Sequence, residues 1–185
     1  MTLHLKQHKL SVEQYDKMVD AGILEPEDKV ELIEGQIITM SPFRSLHQAV
    51  VTALTEEIIP QLLGKYTVIA QGSIKISASS KPEPDMVIAK FRKDRYRKIH
   101  PTADDAYLVI EVSDSTLRTD RNVKLPLYAR AKIAEYWIVD AKKEQIEQYH
   151  SPEADKYISK KIWKKQDVIK SVSIDFSLKV ADLFL

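Results

Sequence analysis

The spacing of apolar residues along the chain predicts two helices in its first third. Ser11 and Gln14 have the spacing of a capping box, so a short helix is expected to begin there and to end near Gly22. Ser45 and Gln48 form a second capping box, and the apolar residues that follow recur with the period of a helix. This second pattern predicts a helix of about 18 residues.

Most of the remaining apolar segments are short enough to be strands. A hairpin is predicted over residues 29–40, with its turn at Glu34 and Gly35. Residues 106–113 and 135–140 are almost continuously apolar, which is typical of strands that are covered on both faces. Further strands are predicted near 66–70 and 73–77, over 84–89, and in a hairpin that joins 144–150 to 157–163.

A helix is expected between the two buried strands. Asp120 is a candidate N-cap for a helix that runs to about Lys132, and Pro126 should kink this helix or shift its effective start. The order strand, helix, strand indicates a crossover between parallel strands. With a terminal helical turn at 180–185, the pattern predicts a single domain over residues 1–185, of mixed α/β (α+β) class.

The composition excludes several kinds of chemistry. The 185-residue chain has no cysteine, which excludes disulfide frameworks, zinc–thiolate sites and thiol catalysis. Its four glycines form neither a GxGxxG motif nor a Walker A motif, and its five histidines are scattered. The sequence shows no signal-like segment and no apolar run of about 18 residues, so we expect a cytoplasmic protein.

The net charge of +1 hides an uneven distribution of charge. Residues 1–60 carry five basic and ten acidic side chains, whereas residues 61–185 carry 23 basic and 17 acidic ones. The stretches 90–98 and 156–170 each combine six cations with two aromatic residues, a pattern that suits a polyanion with stackable bases. A solvated loop and an exposed strand face explain the same pattern, and the stretches alone favour this simpler explanation.

Two carboxylates near the ends of predicted strands are candidates for chemistry. Glu111 shares one strand face with Tyr107 and Val109, and an ionised carboxylate buried there needs a cation or hydrogen bonds. Asp85 stands at the start of an adjacent predicted strand. A metal site and a buried salt bridge are equally consistent with Glu111, while a lone Pro-Asp is more often a turn.

A lysine near both carboxylates would complete a site that binds Mg²⁺ and activates water. Lys124 is the candidate, because the helix after the Glu111 strand is expected to return over the sheet. Arg121 competes for this role, but a guanidinium group cannot lose its proton and therefore only positions or neutralises. The simpler interpretation of Lys124 is a solvated lysine on a helix surface.

Short segments spread along the chain follow one another in a recognisable order. They are Glu31–Gly35, Ser41-Pro42 with His47, Pro84-Asp85, Glu111–Ser113, 120–130 and 135–140. Together they resemble the Uma-two family of restriction endonucleases, in the PD-(D/E)XK nuclease-like superfamily, from about residue 10 to the C-terminus. The resemblance implies a restriction-endonuclease-like core, which is a mixed β-sheet flanked by helices, with an added C-terminal β-hairpin.

The same resemblance implies roles for individual residues. Asp85 and Glu111 would be metal ligands, with the carbonyl of Val112 as a third. The superfamily lysine is expected two residues after Glu111, where this chain has Ser113, and the resemblance implies that Lys124 replaces it as a migrated lysine.

Two further residues are candidates. Glu31 occupies a position at which superfamily members often have an accessory acidic ligand. Glu34, by contrast, is explained by the turn it forms. His47, in the first turn of a predicted helix, is placed to contact a phosphate or assist proton transfer, and a capping or surface role is the alternative.

The resemblance implies a Mg²⁺-dependent endonuclease that hydrolyses DNA, with Mn²⁺ as a substitute, and we expect a homodimer. Ser113 at the usual lysine position motivates an alternative, a nuclease-fold DNA-binding or accessory protein with little or no turnover. A third possibility is a structural dimerisation domain, in which the hairpin 144–163 pairs with a second subunit.

Overall fold

A mixed six-stranded β-sheet carries the candidate residues, in a computed structural model that describes residues 7–42 and 44–184. The N-terminal elements are the helix α1 (Val12–Asp20), a 3₁₀ turn (Pro26–Asp28), the strands β1 (Val30–Ile33) and β2 (Gln36–Thr39), the helix α2 (Ser45–Leu62), and the strands β3 (Tyr66–Ala70) and β4 (Met86–Lys90). A 3₁₀ turn (Ala103–Asp105) leads to strand β5 (Ala106–Ser113) and a helical segment made of α3 (Leu117–Thr119), a π-helical turn (Asp120–Lys124) and α4 (Leu125–Arg130). The remaining elements are the strands β6 (Glu135–Asp140), β7 (Gln145–Glu153), β8 (Lys156–Lys164), β9 (Val168–Lys170) and β10 (Ser177–Lys179), and a 3₁₀ turn (Val180–Leu183).

The strands of the main sheet lie in the order β3-β4-β5-β6-β7-β8. Neighbouring strands are antiparallel except β5 and β6, which are parallel and are joined by the helical segment 117–130. The pairs β1–β2 and β9–β10 form separate small hairpins. This arrangement confirms the predicted mixed sheet flanked by helices, the crossover between β5 and β6, and the C-terminal hairpin, which is β7–β8.

Two apolar layers cover the two faces of the sheet. Helix α2 and the C-terminal residues 169–184 pack on one face, and the helical segment 117–130 packs on the other. Leu108 and Ile110 face α2, and Val109 faces α4, as strand alternation predicts. Tyr107 also packs on the α2 face, against Tyr66 at 5.5 Å between ring centroids, so its predicted face is wrong. The cause is a bulge in β5: Ala106 and Leu108 are the register partners of the consecutive residues Ala89 and Ile88, which leaves Tyr107 without a partner.

The two predicted N-terminal helices are present, with one difference at their starts. The capping box of α1 is confirmed, since Gln14 N–H donates to Ser11 Oγ at 3.2 Å and Ser11 N–H donates to Gln14 Oε1 at 2.9 Å. In α2 the N-cap is Arg44, and Ser45 is already the first helical residue, so the second capping box is wrong. None of the described helices is both long and apolar enough to cross a bilayer.

Three other expectations change in detail. Residues 73–77 form isolated bridges, Lys75 with Thr102 and Ser77 with Ser80, instead of a strand. Asp120 lies inside the helical segment 117–130 and does not cap its start. The terminal turn is present over 180–183, and Leu185 lies outside the described residues.

Candidate functional site

The predicted carboxylates lie next to each other at one end of the neighbouring strands β4 and β5. Because β4 and β5 are antiparallel neighbours, Asp85, which precedes β4, and Glu111, near the end of β5, lie close together. Strand β1 supplies Glu31, the first turn of α2 supplies His47, and the π turn supplies Lys124. All five side chains line one cleft with a volume of about 150 Å³.

The carboxylate of Glu111 is buried and held by two donors. Glu111 is 4 % exposed, and its Oε1 accepts hydrogen bonds from Lys124 Nζ at 3.0 Å and from the Tyr128 hydroxyl at 2.8 Å. Lys124 Nζ also lies 3.3 Å from Oε2 of Glu31. Burial raises the pKa of Glu111 well above its usual value, and the charge of Lys124 opposes this effect. The predicted lysine therefore lies against the predicted carboxylate and not on a solvated helix surface.

The charge state of Lys124 follows from its surroundings. Burial alone would lower the pKa of Lys124, but the negative charges of Glu111, Glu31 and Asp120 outweigh burial and raise it above its usual value. An ammonium group with a raised pKa keeps its proton at neutral pH. Lys124 can therefore act as a fixed positive charge and hydrogen-bond donor, whereas a role as proton acceptor is unfavourable.

Both oxygens of Asp85 are oriented by neighbouring groups. Oδ1 lies 3.0 Å from Nε2 of His47, and Oδ2 accepts a hydrogen bond from the backbone N–H of Val112 at 2.8 Å. His47 and Asp85 are both buried, at 9 % and 7 % exposure. His47 thus contacts a carboxylate directly, which exceeds the surface or capping role that was its alternative.

Asp120 is a member of the cleft whose position the sequence did not reveal. Its Oδ2 accepts hydrogen bonds from Ser113 Oγ at 2.5 Å and from Thr116 Oγ1 at 2.7 Å. Burial raises the pKa of Asp120, with Lys124 and the two hydroxyl groups opposing the increase. Ser113, which stands where the resemblance to the superfamily implies a lysine, is therefore a hydrogen-bond donor to a second buried carboxylate.

The π turn explains how this face of the helical segment reaches the cleft. Asp120, Lys124 and Tyr128 follow one another at four-residue intervals, and all three are buried. This spacing is the signal by which Asp120 could have been found. The N–H of Leu125 donates to the carbonyl of Asp120, five residues earlier. Pro126 has no N–H and its ring would clash with a carbonyl four residues earlier in a regular α-helix, which accounts for the wider turn directly before it.

Arg121 does not take the position of Lys124. Its guanidinium group pairs with Glu147 of β7, with Nε 3.1 Å from Oε2. Lys160 Nζ lies 3.1 Å from Glu147, and the Tyr149 hydroxyl donates to it at 2.5 Å. The competition between Arg121 and Lys124 for the cleft is therefore decided in favour of Lys124.

The chemistry of the cleft fits a hard divalent cation. The oxygen donors predicted as ligands, the carboxylates of Asp85 and Glu111 and the backbone of Val112, belong to residues that all line the cleft. Within residues 7–42 and 44–184, no three His, Cys, Asp or Glu side chains are arranged to hold a metal together. A hard divalent cation that keeps several waters takes only one or two carboxylates from the protein.

The charge balance of the cleft points the same way. The carboxylates that line it are those of Glu31, Glu83, Asp85, Glu111, Asp114 and Asp120. Lys124 is a buried cation among them, and Arg44 also lines the cleft. A bound divalent cation would offset part of this excess of negative charge.

The arrangement of the sheet and helices is that of a solved nuclease structure. The crystal structure of "a putative nuclease belonging to DUF820" from Anabaena variabilis aligns with a TM-score of 0.68 and 16 % sequence identity, over 95 % of this chain and 97 % of that chain. At this identity the likeness shows the fold. The type IIG restriction endonuclease BpuSI aligns with a TM-score of 0.42 and 17 % identity, over 79 % of this chain and 16 % of that chain.

The family is shown by the sequence itself. A family model described as "Putative restriction endonuclease" matches residues 12–181, and the chain therefore belongs to this family, Uma2. No curated protein matches the chain. The family and the nuclease fold agree with the resemblance seen in the sequence.

Proposed function

We propose that the protein is a metal-dependent endonuclease that hydrolyses DNA phosphodiester bonds with Mg²⁺, or with Mn²⁺ as a substitute. The observation that carries the proposal is the pair of carboxylates on adjacent strand ends, Asp85 and Glu111, with the charged Lys124 held 3.0 Å from Glu111. Membership of a restriction endonuclease family and a nuclease fold support it. The restriction endonuclease family and the nuclease fold together favour DNA as the substrate.

In this proposal each residue of the cleft has a separate task. Asp85 and Glu111, with the carbonyl of Val112, would hold the cation. A bound cation would lower the pKa of the attacking water and stabilise negative charge on the phosphate. Lys124 balances the negative charge that develops as the water oxygen bonds to phosphorus and the bond to the leaving sugar oxygen breaks.

Glu31 and His47 act next to these groups. Glu31 shares the ammonium group of Lys124 with Glu111 and serves as an accessory acid that fixes the lysine. His47 orients Asp85 through Nε2, and we propose that it contacts a phosphate or assists proton transfer.

The proposal is tested by nicking of supercoiled plasmid with Mg²⁺ or Mn²⁺. Asp85→Asn removes the negative charge of one of the two proposed ligands at almost constant volume. We expect the rate to fall at least 100-fold, a magnitude typical of losing one group that stabilises charge in the transition state. The matched control is Asp155→Asn, because Asp155 is exposed at the β7–β8 turn, at the opposite end of the sheet. Full activity of Asp85→Asn would assign the nicking to a contaminant and remove the proposal.

A second candidate function is a nuclease-fold module that binds DNA, alone or as an accessory protein, with little turnover. The observation that favours it is Ser113, which donates to Asp120 at the place where the superfamily has its lysine. Calorimetry that detects no Mg²⁺ or Mn²⁺ binding at millimolar concentration, together with DNA binding measured by fluorescence anisotropy, would select this function over the first.

We also propose that two copies pair as a homodimer along β8. This strand lies at the edge of the main sheet, and it carries two exposed apolar side chains, Ile158 at 66 % and Ile162 at 45 %. Sedimentation velocity across a concentration series tests the pairing, with Ile158→Lys expected to weaken it. A monomer at every concentration would exclude the dimer.

A further inference from the structure

Tyr128 lies beside the proposed metal ligand but is not itself in the cleft. It belongs to α4, one helical turn after Lys124, and it is 0 % exposed. Its hydroxyl donates to Oε1 of Glu111 at 2.8 Å, the same oxygen to which Lys124 donates at 3.0 Å. Oε2 of Glu111 receives no hydrogen bond from any described residue, although Glu111 lines the cleft.

We propose that Tyr128 is a positioning residue that fixes the carboxylate of Glu111, so that Oε2 is the oxygen presented to the cation. This inference rests on the proposed function. Two donors on one carboxylate oxygen select a single orientation of the group, because any rotation breaks a charge-assisted hydrogen bond in a buried environment. Lys124 alone does not define that orientation, since its ammonium group is shared with Glu31.

The surroundings of Tyr128 make it a rigid donor. Its ring lies 5.0 Å from the ring of Tyr136, which in turn stacks on Tyr149 and Tyr157 at centroid distances of 6.1 and 6.3 Å. A phenol in this packed layer has little freedom to turn away from the carboxylate.

The contact resembles the outer-shell hydrogen bonds that orient carboxylate ligands in metal sites. Removal of such a partner typically weakens metal binding by about 10–100-fold while leaving the ligand itself in place. A residue needed only for packing would affect stability and not metal affinity. The two roles can therefore be separated by experiment.

The test is a Mn²⁺ titration of Tyr128→Phe, followed by the electron paramagnetic resonance signal of free Mn²⁺. This substitution removes the hydroxyl and keeps the ring contact with Tyr136. We expect the dissociation constant to rise by about 10–100-fold. In the plasmid assay we expect the Mn²⁺ concentration at half-maximal rate to rise similarly, while the rate at saturating Mn²⁺ stays close to that of the native protein.

Tyr157→Phe is the matched control. Tyr157 is buried in the same aromatic layer, and its hydroxyl donates to the carbonyl of Ile133 at 2.9 Å and not to a carboxylate of the cleft. Native Mn²⁺ affinity in Tyr128→Phe overturns the inference, and so does an equal loss of affinity in Tyr157→Phe.

A measurement without metal separates this inference from the proposed function. If the native protein binds no Mn²⁺, the metal-dependent function fails, and a double-mutant cycle of Tyr128→Phe with Glu111→Gln then tests the contact by thermal unfolding. We expect the two changes in melting temperature to be clearly non-additive. Additive changes would overturn the assignment of Tyr128 to Glu111.

Discussion

Lys124 is the side chain on which the charge balance of the cleft depends most directly. Its ammonium group lies within 3.3 Å of Glu31 and 3.0 Å of Glu111, and both carboxylates are 4 % exposed. Removing one partner from a buried ion pair leaves a charge that neither water nor another group compensates. The same lysine therefore contributes to stability and, in the proposed function, to charge stabilisation at the phosphate.

Lys124→Met keeps the length and most of the volume of the side chain but removes its charge. We expect the free energy of unfolding, measured by urea denaturation at pH 7, to fall by about 3 kcal/mol or more. Saturating Mn²⁺ should restore part of this loss, because a bound cation replaces some of the missing charge. Lys17→Met, on the exposed face of α1, is the control and should change little. Equal effects of the two variants would contradict the buried pairing.

Among the larger elements, the β7–β8 hairpin holds the π turn through Glu147. This carboxylate is 0 % exposed and receives Arg121 from the π turn, Tyr149 from its own strand and Lys160 from β8. Burial alone would raise the pKa of Glu147, but hydrogen bonds from these three partners outweigh burial and lower it to about 2. The hairpin thus stabilises the turn that carries Asp120 and Lys124.

The stability supplied by Glu147 should be lost in acid. Since its pKa falls from an ordinary 4.5 to about 2 on folding, the contribution is complete above pH 4.5 and declines as the pH drops toward 2. Glu147→Gln should be less stable than the native protein at pH 7, by up to about 3 kcal/mol, with a smaller difference in acid. Urea denaturation from pH 7 to pH 3 measures this, with the exposed Glu153→Gln as control. A difference that does not change with pH would contradict the assignment.

The elements that could be predicted are those whose signal is local. The periodicity of α2 and the apolar run of β5 specify their type, because each depends on burial along its own length. The segment 73–77 alternates like a strand, yet it finds only isolated bridges, since pairing needs a neighbour in register. The four-residue spacing of Asp120 to Lys124 indicates that the two share a helix face, but the hydrogen bond from Ser113 that fixes Asp120 forms only after β5 and the π turn meet.

Across the whole molecule, the basic stretch 90–98 lies at one end of the strands, and the stretch 156–170 runs along β8 until Lys164 reaches the other end. The register pairs from β5 to β8 connect Ser113, Asp140, Gln145 and Lys164. Lys164 therefore lies at the cleft end of the strands, three strand spacings or about 14 Å from Ser113. The stretch 90–98 begins where β4 ends, about 17 Å along the strand from Asp85, and so lies at the opposite end of the strands from the cleft. In the proposed function, the lysines at the cleft end of the strands are therefore better placed to contact DNA phosphates next to the cleft.

This placement gives a prediction for DNA binding. Lys143 and Lys164 are exposed at the cleft end of the strands, and Lys93 and Lys98 are exposed in the loop at the opposite end. Within the described residues, no carboxylate lies within 4 Å of any of these four ammonium groups. We expect the double variant Lys143→Glu/Lys164→Glu to bind a DNA duplex more weakly than the native protein at low salt. The slope of log K against log salt should also fall, by about 1 for each lysine that no longer neutralises a phosphate. Lys93→Glu/Lys98→Glu makes the same change in net charge and should bind nearly as the native protein does, in fluorescence anisotropy from about 50 to 200 mM salt. A larger loss of affinity in Lys93→Glu/Lys98→Glu would indicate that DNA binds at the opposite end of the strands. An equal loss in both double variants would mean that net charge, and not the position of these lysines, determines the affinity.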